Sequence, residues 1–340
     1  MLADYSAGSM ICLQRATGSM LLPSRVSQIH ILTEKSRFWG ALLLVGTLLK
    51  YRRDCLLMSS TVYINGWLGL LKRIGYLKSP LVVRESTSTF LIYRGLKKIT
   101  YELAYRAGYT AADLVICQTD LMREQFVQHN PFIAAEKIVV LPNPIDLKTI
   151  YDKGDNACDC ANSKYICAAG RLIPLKGFKF LITAFKKIAD DFPDLKLIIL
   201  GDGPEKDSLL NQIEILKLRD RVILKGFIEN PYPYFKNAKA CVVSSSKEGF
   251  PNVLLQMMAL NNHVLSTRCA GDVGKIPGIV TIEPNNSEEL ASGLKQVLTM
   301  KNEGIRNLFD IYLNNRNPEL YLKEIYAHLQ TTRQLAIKIG

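Results

Sequence analysis

Three charged side chains in the C-terminal half of the chain follow apolar runs that predict buried strands. Arg171 and Lys176 come after the run at 165–169, and Glu248 comes after the run at 240–243. In parallel α/β sheets, ligands bind at the carboxyl ends of the strands. Arginine can hold a diphosphate as a planar fork and lysine as a point charge, while a carboxylate accepts hydrogen bonds from hydroxyl groups. The two cations could converge on one diphosphate; the alternative is that both are solvated loop residues.

The segment around Glu248 has the pattern of a strand, a turn and a helix. Gly249 and Pro251 predict the turn, and the apolar stretch from Val253 to Ala259 predicts a helix with Pro251 in its first turn. Free N–H groups at 250–253 would form an anion site at the helix N-terminus. Such junctions occur throughout α/β proteins, so this one alone is weak support for phosphate binding.

Other strand–turn–helix units flank this segment. Apolar runs followed by glycine-containing turns occur at 165–178, 195–205 and 221–227. Alternating strands and helices of this kind predict an α/β protein with parallel sheets.

Together, these segments resemble the signature of the GT4-type (group 1) retaining glycosyltransferases of the GT-B class. The matching stretches are Gly170-Arg171-Leu172, Lys176-Gly177-Phe178 and Glu248-Gly249-Phe250-Pro251-Asn252, in the family's order. The chain departs from the family at Gln256, where relatives carry a second glutamate. The resemblance implies an α/β fold of two Rossmann-like domains that face a central cleft.

The resemblance also implies roles for single residues. Arg171 and Lys176 would bind the donor diphosphate and stabilise the departing nucleotide, and Glu248 would accept hydrogen bonds from donor-sugar hydroxyls. Gln256 would contact the ribose through a neutral amide, which costs about 1 kcal/mol relative to a carboxylate. The backbone near Phe227 would meet the base. The remaining donor-binding positions implied are Gly170, Gly249, Phe250, Pro251, Asn252 and Val253.

The resemblance further implies a reaction on one face of the donor, in which the leaving phosphate assists deprotonation of the acceptor. The sequence shows no evident protein base, no Asp-x-Asp at a strand end and no metal-ligand spacing among its cysteines. We therefore predict no metal and no cofactor, with a nucleotide diphosphate sugar as substrate.

The chain is long enough for two domains. We predict an N-terminal acceptor-side domain at 1–148, a polar linker at 149–164, a nucleotide-sugar-binding domain at 165–315, and a final helix at 316–340 that crosses back to the N-terminal domain. Relatives open with a strand, a glycine-rich loop and a helix. The first residues here resemble the end of that helix, so we expect the first β-α unit of the N-terminal domain to be missing.

In the N-terminal half, Arg84 and Glu85 follow the apolar run at 81–83. Relatives carry polar residues that face the cleft at this place. Arg84 would then contact the donor phosphate or an acceptor diphosphate. An ordinary surface Arg–Glu pair is an equal alternative.

The net charge of +12 is concentrated in residues 1–150, which hold 18 Lys and Arg against 10 Asp and Glu. Tyrosines and Trp67 are interleaved with these cations, a pattern that suits an anionic membrane surface. A solvated basic face is the main alternative, and no nucleic-acid motif is present, so we predict no nucleic-acid partner. The cations concerned are Lys72, Arg73, Lys78, Arg94, Lys97, Lys98 and Arg106.

We predict an enzyme that transfers a hexose or N-acetylhexosamine to a growing lipid-linked glycan. The glycan would belong to bacterial surface polysaccharide biosynthesis, such as that of O-antigen, capsule or lipopolysaccharide. The enzyme would be cytoplasmic and peripheral on the inner face of the membrane. Scattered cysteines fit a reducing compartment. The apolar run at 38–49 is shorter than the roughly 20 residues that span a bilayer and predicts a core helix. Two alternatives remain: a weak or inactive relative that acts as a binding subunit, and a sugar-nucleotide epimerase of similar fold.

Overall fold

The computed structural model describes residues 9–12, 28–31, 37–51, 55–86, 95–159 and 163–339. The chain forms two compact units. The first comprises residues up to Pro144 together with those from Pro318 onward, and the second comprises Ile145–Asn317.

The first unit contains two groups of parallel strands. Strands β1 and β2 pair with each other, and β3 to β6 form a four-stranded sheet in sequential order. The apolar run at 81–83 lies within β4, which ends at Arg84. The strands are β1 (Ser9–Cys12), β2 (Gln28–Ile31), β3 (Leu57–Ser59), β4 (Leu81–Arg84), β5 (Leu114–Cys117) and β6 (Ile138–Val140). The helices are α1 (Arg37–Leu48), α2 (Val62–Arg73), α3 (Leu96–Gly108) and α4 (Asp120–His129).

Glycines allow α2 and α3 to pack with their backbones in contact. A β-carbon at Gly69 would lie 1.9 Å from the carbonyl oxygen of Gly108, and one at Gly108 would lie 2.0 Å from that of Gly66. No side chain fits at these distances, so glycine is required for the approach. The close approach puts Tyr105 and Tyr109 fully inside the core of the unit.

The second unit is built on one six-stranded parallel sheet in the order β12-β11-β10-β7-β8-β9. Numbered within the unit, this is the 3-2-1-4-5-6 order of the Rossmann fold read from the other edge. Its strands are β7 (Tyr165–Ala169), β8 (Lys196–Leu200), β9 (Val222–Gly226), β10 (Ala240–Val243), β11 (Val264–Thr267) and β12 (Val280–Ile282). Its helices are α5 (Leu147–Gly154), α6 (Phe178–Ile188), α7 (Lys206–Ile215), α8 (Tyr232–Asn237), α9 (Asn252–Leu260), α10 (Ser287–Thr299) and α11 (Ile305–Asn314).

Both faces of this sheet are buried. Along β7, Ile166 and Ala168 enter one apolar cluster, whereas Tyr165 and Cys167 enter the other. Burial on both sides is why the strands are continuous apolar runs without polar alternation. It also leaves the strand ends as the places where polar side chains can gather.

The last helix, α12 (Pro318–Ile339), packs on the sheet of the first unit. Its Tyr321, Ile325 and Leu329 join an apolar cluster with Val82 and Leu114. These three side chains recur at a spacing of four, which gives the helix a single buried stripe. Leu320 and Tyr326, on other sides of the same helix, are exposed.

The structure differs from the predicted linker at 149–164. Helix α5 occupies residues 147–154 of the predicted linker. The first unit ends at Pro144 and not at residue 148, and the second unit begins at Ile145 and not at residue 165. The carboxylate of Asp146 caps the helix by accepting from the Thr149 backbone N–H at 3.1 Å. Ile150 is buried in the core of the second unit. One cap and one buried apolar side chain hold a helix that the polar composition of the segment does not suggest.

Candidate functional site

The site lies at the switch point of the second sheet. Strands β7 and β10 are neighbours, and the chain leaves β7 toward β8 on one side and β10 toward β11 on the other. The loops that follow the two strands therefore diverge and leave a crevice at the carboxyl edge of the sheet. The loop after β7 spans 170–177 and carries Arg171 and Lys176. The loop after β10 spans 244–251 and carries Glu248.

Several hydrogen bonds join these loops. The Ser244 hydroxyl donates to the Lys176 carbonyl at 2.8 Å, and the Ser246 N–H donates to the Leu175 carbonyl at 2.8 Å. Gly177 makes the approach possible with a left-handed φ of 65°. The loops at 170–177 and 244–251 are thus held together as one rigid surface, which we call the ledge.

Within the ledge, an ion pair joins two of the predicted site residues, one from each loop. The Lys176 Nζ lies 2.5 Å from the Glu248 Oε1, and the two side chains are 21% and 19% exposed. Ser245 donates from its hydroxyl to the same carboxylate oxygen at 2.7 Å. The pair is shielded from solvent on most sides, so its attraction is stronger than that of a surface pair. The two residues predicted from separate motifs therefore meet.

The backbone of Glu248 is also fixed. Its N–H donates to the Cys269 carbonyl at 2.8 Å, after the end of β11. Burial, reinforced by the nearby Glu248 charge, raises the pKa of the Cys269 thiol to about 12. Cys269 is therefore a neutral packing group at neutral pH and not a nucleophile.

Helix α9 begins beside Glu248. It starts at Asn252, with Pro251 outside it in an extended conformation at φ −78° and ψ 98°. The prediction that Pro251 lies in the first turn is wrong by one position, because ψ at Pro251 is not helical. Among the described residues, no side-chain hydrogen bond caps this terminus from Pro251. The helix dipole gives the terminus a partial positive charge, which favours an anion there.

Phe250 and Gly249 are buried beneath this terminus. The Arg316 guanidinium lies 5.2 Å from the centre of the Phe250 ring, and burial lowers the pKa of Arg316. The Phe250 side chain packs in an apolar cluster of the second unit, together with Leu254 and Leu255 of α9.

The other predicted donor residues lie on the same sheet or helix but do not touch the ion pair. Arg171 is exposed, Gln256 is half-exposed on α9, and Phe227 is exposed just after β9. Within residues 163–339, no hydrogen bond or ion pair links their side chains to Lys176 or Glu248. Gly170 packs close to the Lys176 stem, where a β-carbon would lie 3.3 Å from it. Asn252 and Val253 open α9.

In the first unit, Glu85 is not a surface residue. Its carboxylate is buried and accepts hydrogen bonds from the Tyr105 hydroxyl at 2.9 Å and the Tyr109 hydroxyl at 2.5 Å. Burial raises the pKa of Glu85 to about 7. Both sequence-based readings of Glu85, as a cleft residue and as half of a surface ion pair, are therefore wrong, because it closes a tyrosine network behind the strand end.

Arg84 keeps a place at the carboxyl edge of the first sheet. Its guanidinium donates to the Asn143 Oδ1 at 2.5 Å, and the Asn143 amide donates to the Gln118 Oε1 at 2.8 Å. Gln118 in turn donates to the Glu85 carbonyl at 2.7 Å. This chain of amides ties the ends of β4, β5 and the segment after β6 together and sets the direction of Arg84.

Three residues at the ledge were missed from the sequence. Ser245 and Thr267 are buried polar residues beside Glu248, and Lys247 is a half-buried cation whose pKa is lowered by burial. The sequence offers one signal for Ser245 and Thr267, which is that hydroxyl residues stand at the ends of two apolar runs. Serine and threonine are common in loops, so that signal is weak without the strand register.

The sheet order makes the second unit a Rossmann-type α/β domain, in which the switch point is the usual place for a ligand. The comparisons with known proteins place the fold in the GT-B class. The family model for Glycosyl transferases group 1 matches residues 160–308, and that for Glycosyltransferase Family 4 matches residues 24–149. The chain resembles the crystal structure of Anabaena HepE in complex with UDP with a TM-score of 0.71 and 19% identity, covering 90% of this chain and 87% of that one.

Several relatives match in sequence, and two of them are described here. The N-acetylgalactosamine-N,N'-diacetylbacillosaminyl-diphospho-undecaprenol 4-alpha-N-acetylgalactosaminyltransferase of Campylobacter jejuni is 31% identical over 263 residues, which are 74% of this chain and 70% of the relative. The lipopolysaccharide core biosynthesis glycosyltransferase LpsD of Rhizobium meliloti is 32% identical over 111 residues, only 33% of this chain and 31% of the relative. The chain belongs to the GT4-type group 1 glycosyltransferases.

Proposed function

We propose that this chain transfers an N-acetylhexosamine or hexose, with retention, from a nucleotide diphosphate sugar to a growing lipid-linked glycan. The observation that carries the proposal is the Lys176–Glu248 pair at the switch point, beside the start of α9. It sets a cation, a carboxylate and the N-terminus of a helix within one short stretch of the sheet edge. Those are the groups that a diphosphate and a sugar require.

The diphosphate of the donor binds at Lys176 and the first N–H groups of α9. The Lys176 ammonium stands on a flexible stem, so it can turn from Glu248 toward the phosphate oxygens when the diphosphate binds. Arg171, exposed at the same edge, adds a second cation. As the bond to the sugar breaks, negative charge grows on the departing phosphate, and these groups stabilise it.

Glu248 binds the donor sugar. Its Oε1 is held by Lys176 and Ser245, so the Oε2 is the oxygen that accepts from sugar hydroxyls. Gln256 contacts the ribose, and the backbone near Phe227 contacts the base. The bond between the anomeric carbon and the phosphate oxygen breaks, the acceptor oxygen bonds to that carbon on the same face, and the acceptor proton passes to the leaving phosphate.

The sugar and acceptor classes are supported by the Campylobacter relative. Its name describes an N-acetylgalactosaminyltransferase that acts on a diphospho-undecaprenol-linked sugar. We propose the same classes for this chain: an N-acetylhexosamine donor first, and an acceptor whose diphosphate is carried on a lipid. Arg84, fixed by Asn143, is the residue of the first unit that we assign to an acceptor diphosphate.

A lipid-linked acceptor requires a membrane surface, and α3 supplies a fitting face. Leu96, Ile99 and Leu103 are 82%, 52% and 61% exposed, and they share one side of the helix. Lys97 and Lys98 on the same helix are also exposed. Apolar side chains flanked by lysines complement the interface of an anionic bilayer.

This face differs from the one predicted from the sequence. Tyr105 and Tyr109 are buried in the core, and Lys72 is paired with Asp113 at 3.0 Å. Arg94 lies outside the described residues. Helix α1 adds exposed apolar side chains at Trp39, Leu42 and Leu43. None of the helices that the structure describes combines the length and hydropathy needed to span a bilayer.

A binding screen tests the proposal. Thermal shift is measured with UDP, GDP, UDP-N-acetylgalactosamine, UDP-N-acetylglucosamine, UDP-glucose and GDP-mannose. We expect one nucleotide sugar to stabilise the chain more than its bare nucleotide does. That excess should vanish in Glu248→Ala and persist in Glu303→Ala, which removes an exposed carboxylate from the same unit.

Turnover then separates an enzyme from a binding subunit. The nucleotide sugar that stabilises the chain is incubated with an undecaprenyl-diphosphate-linked N-acetylhexosamine, and the product is followed by mass spectrometry. Transfer that requires Glu248 supports the proposal. Binding without transfer would favour an inactive relative, and the absence of any nucleotide binding would refute the donor site.

A further inference from the structure

The Glu248 carboxylate is held asymmetrically. Both of its hydrogen-bond donors, Lys176 at 2.5 Å and Ser245 at 2.7 Å, reach the same oxygen, Oε1. Among residues 163–339, no hydrogen bond reaches the Oε2. One oxygen is saturated within the protein and the other is open to a ligand.

Ser245 is itself held from the neighbouring strand. The Thr267 hydroxyl donates to the Ser245 carbonyl at 2.5 Å, and both residues are buried at 2% exposure. The strand register pairs Val243 with Ser266, so Ser245 and Thr267 leave β10 and β11 at the same edge. The Glu248 N–H, bonded to the Cys269 carbonyl, fixes the far end of the same turn.

The two donors differ in what they can do when a donor substrate arrives. Lys176 sits on a flexible stem, and a diphosphate would compete with Glu248 for its charge. Ser245 has a short side chain on a backbone tied by Thr267, and it has no comparable alternative partner. If the lysine turns toward phosphate, only the serine still holds the Oε1.

We propose that Ser245, tied by Thr267, is a positioning residue that keeps the Oε1 of Glu248 fixed and its Oε2 directed at the donor sugar while Lys176 moves to the diphosphate. The inference rests on the proposed function, because it assumes that Glu248 binds the sugar. It predicts that the Ser245–Thr267 link contributes to recognition of the sugar and not of the nucleotide.

The test compares a nucleotide with its nucleotide sugar. Dissociation constants of UDP and UDP-N-acetylgalactosamine are measured by calorimetry, with GDP and GDP-mannose as the second probe pair. In Ser245→Ala, affinity for the bare nucleotide should stay within about twofold. The extra affinity given by the sugar, or the turnover of the sugar nucleotide, should fall about 10- to 100-fold, the usual effect of losing a hydrogen bond to a charged group.

Thr267 supplies a matched pair of variants. Thr267→Val keeps the shape and removes the hydroxyl, so it should reproduce the Ser245→Ala phenotype in part. Thr267→Ser keeps the hydroxyl and should restore wild-type values within about threefold. Ser266→Ala is the control, since it removes an equally buried hydroxyl that bonds only the Thr267 carbonyl, at 2.9 Å.

The outcomes separate the two proposals. If Glu248→Ala loses the sugar-dependent affinity while Ser245→Ala and Thr267→Val retain it, the positioning role is refuted and the donor site stands. If Thr267→Ser is as defective as Thr267→Val, packing and not the hydroxyl is responsible, and the inference again fails. If the wild type binds neither probe pair, the proposed function fails and the positioning role fails with it.

Discussion

Gly177 lies against the backbone carbonyl of Ser244, so closely that a β-carbon at residue 177 would stand 2.1 Å from that oxygen. This contact lets Lys176 reach Glu248 from a neighbouring strand. It turns two separate sequence motifs into one site.

Gly177→Ala should therefore damage both stability and nucleotide binding. The left-handed φ costs about 1 kcal/mol for alanine, and the overlap with the Ser244 carbonyl forces the loops apart at a further cost of about 2 kcal/mol. Urea unfolding measures the total. Gly304→Ala is the control, because Gly304 has a φ of 78° with open space around it and should show only the smaller loss. Equal losses in the two variants would contradict the steric argument.

Glu248→Ala should separate nucleotide binding from sugar binding. It removes a negative charge that lies 2.5 Å from the Lys176 ammonium, so the lysine becomes free for phosphate and UDP should bind as tightly as to the wild type or more tightly. Lys176→Ala should weaken UDP about tenfold or more, and Lys179→Ala, an exposed lysine on α6, should not. Calorimetry of the three variants decides. Weaker UDP binding in Glu248→Ala would mean that the carboxylate has another role.

Glu85 should make stability depend on pH. Its pKa in the folded protein is about 7, above the ordinary value of 4.5, so between these values the folded carboxyl keeps a proton that the unfolded chain has released. The free energy of unfolding should thus fall as pH rises from about 4.5 to 7, by about 3 kcal/mol. Urea titrations at several pH values should show this slope in the wild type and in Glu136→Gln, an exposed control. The slope should be absent in Glu85→Gln, and a slope retained there would exclude Glu85 as its source.

The α3 face should govern attachment to vesicles. Replacing Leu96, Ile99 and Leu103 by serine removes three apolar side chains, each worth about 1.5 kcal/mol or more when buried in a bilayer, and should reduce co-sedimentation with phosphatidylglycerol vesicles at least tenfold. Replacing Lys97 and Lys98 by glutamine should weaken binding mainly at low salt. The matched control is Leu210→Ser with Ile215→Ser, two exposed apolar residues of α7 in the second unit. Unchanged sedimentation of the α3 variants would rule out this face.

Most of the second sheet could be predicted because its strands are buried on both faces. Continuous apolar runs such as Ala240–Val243 have limits that glycines, prolines and hydroxyl residues mark sharply. The position of Lys176 and Glu248 at the sheet edge could also be predicted, because both lie in loops that follow such runs. Their meeting, however, depends on strand order, which local patterns do not encode.

Other features depend on contacts between distant segments. Glu85 has the polarity of a surface residue, and only Tyr105 and Tyr109, which lie on and just after a helix some 20 residues later, make its burial tolerable. Helix α5 was missed because a single capping aspartate and Ile150 hold it. The link between Ser245 and Thr267 could not be predicted, because it depends on the register of two neighbouring strands.

The position of the last helix determines when the first unit can complete its fold during synthesis. Its Ile325 and Leu329 cover Val82 and Leu114, yet they are synthesised after the whole second unit. While the ribosome makes residues 145–317, that face of the first sheet lacks the cover of α12, whereas the second unit can close as soon as its own residues have emerged. The nascent first unit therefore waits for α12 to complete this apolar cluster, and a chaperone would protect it in that interval.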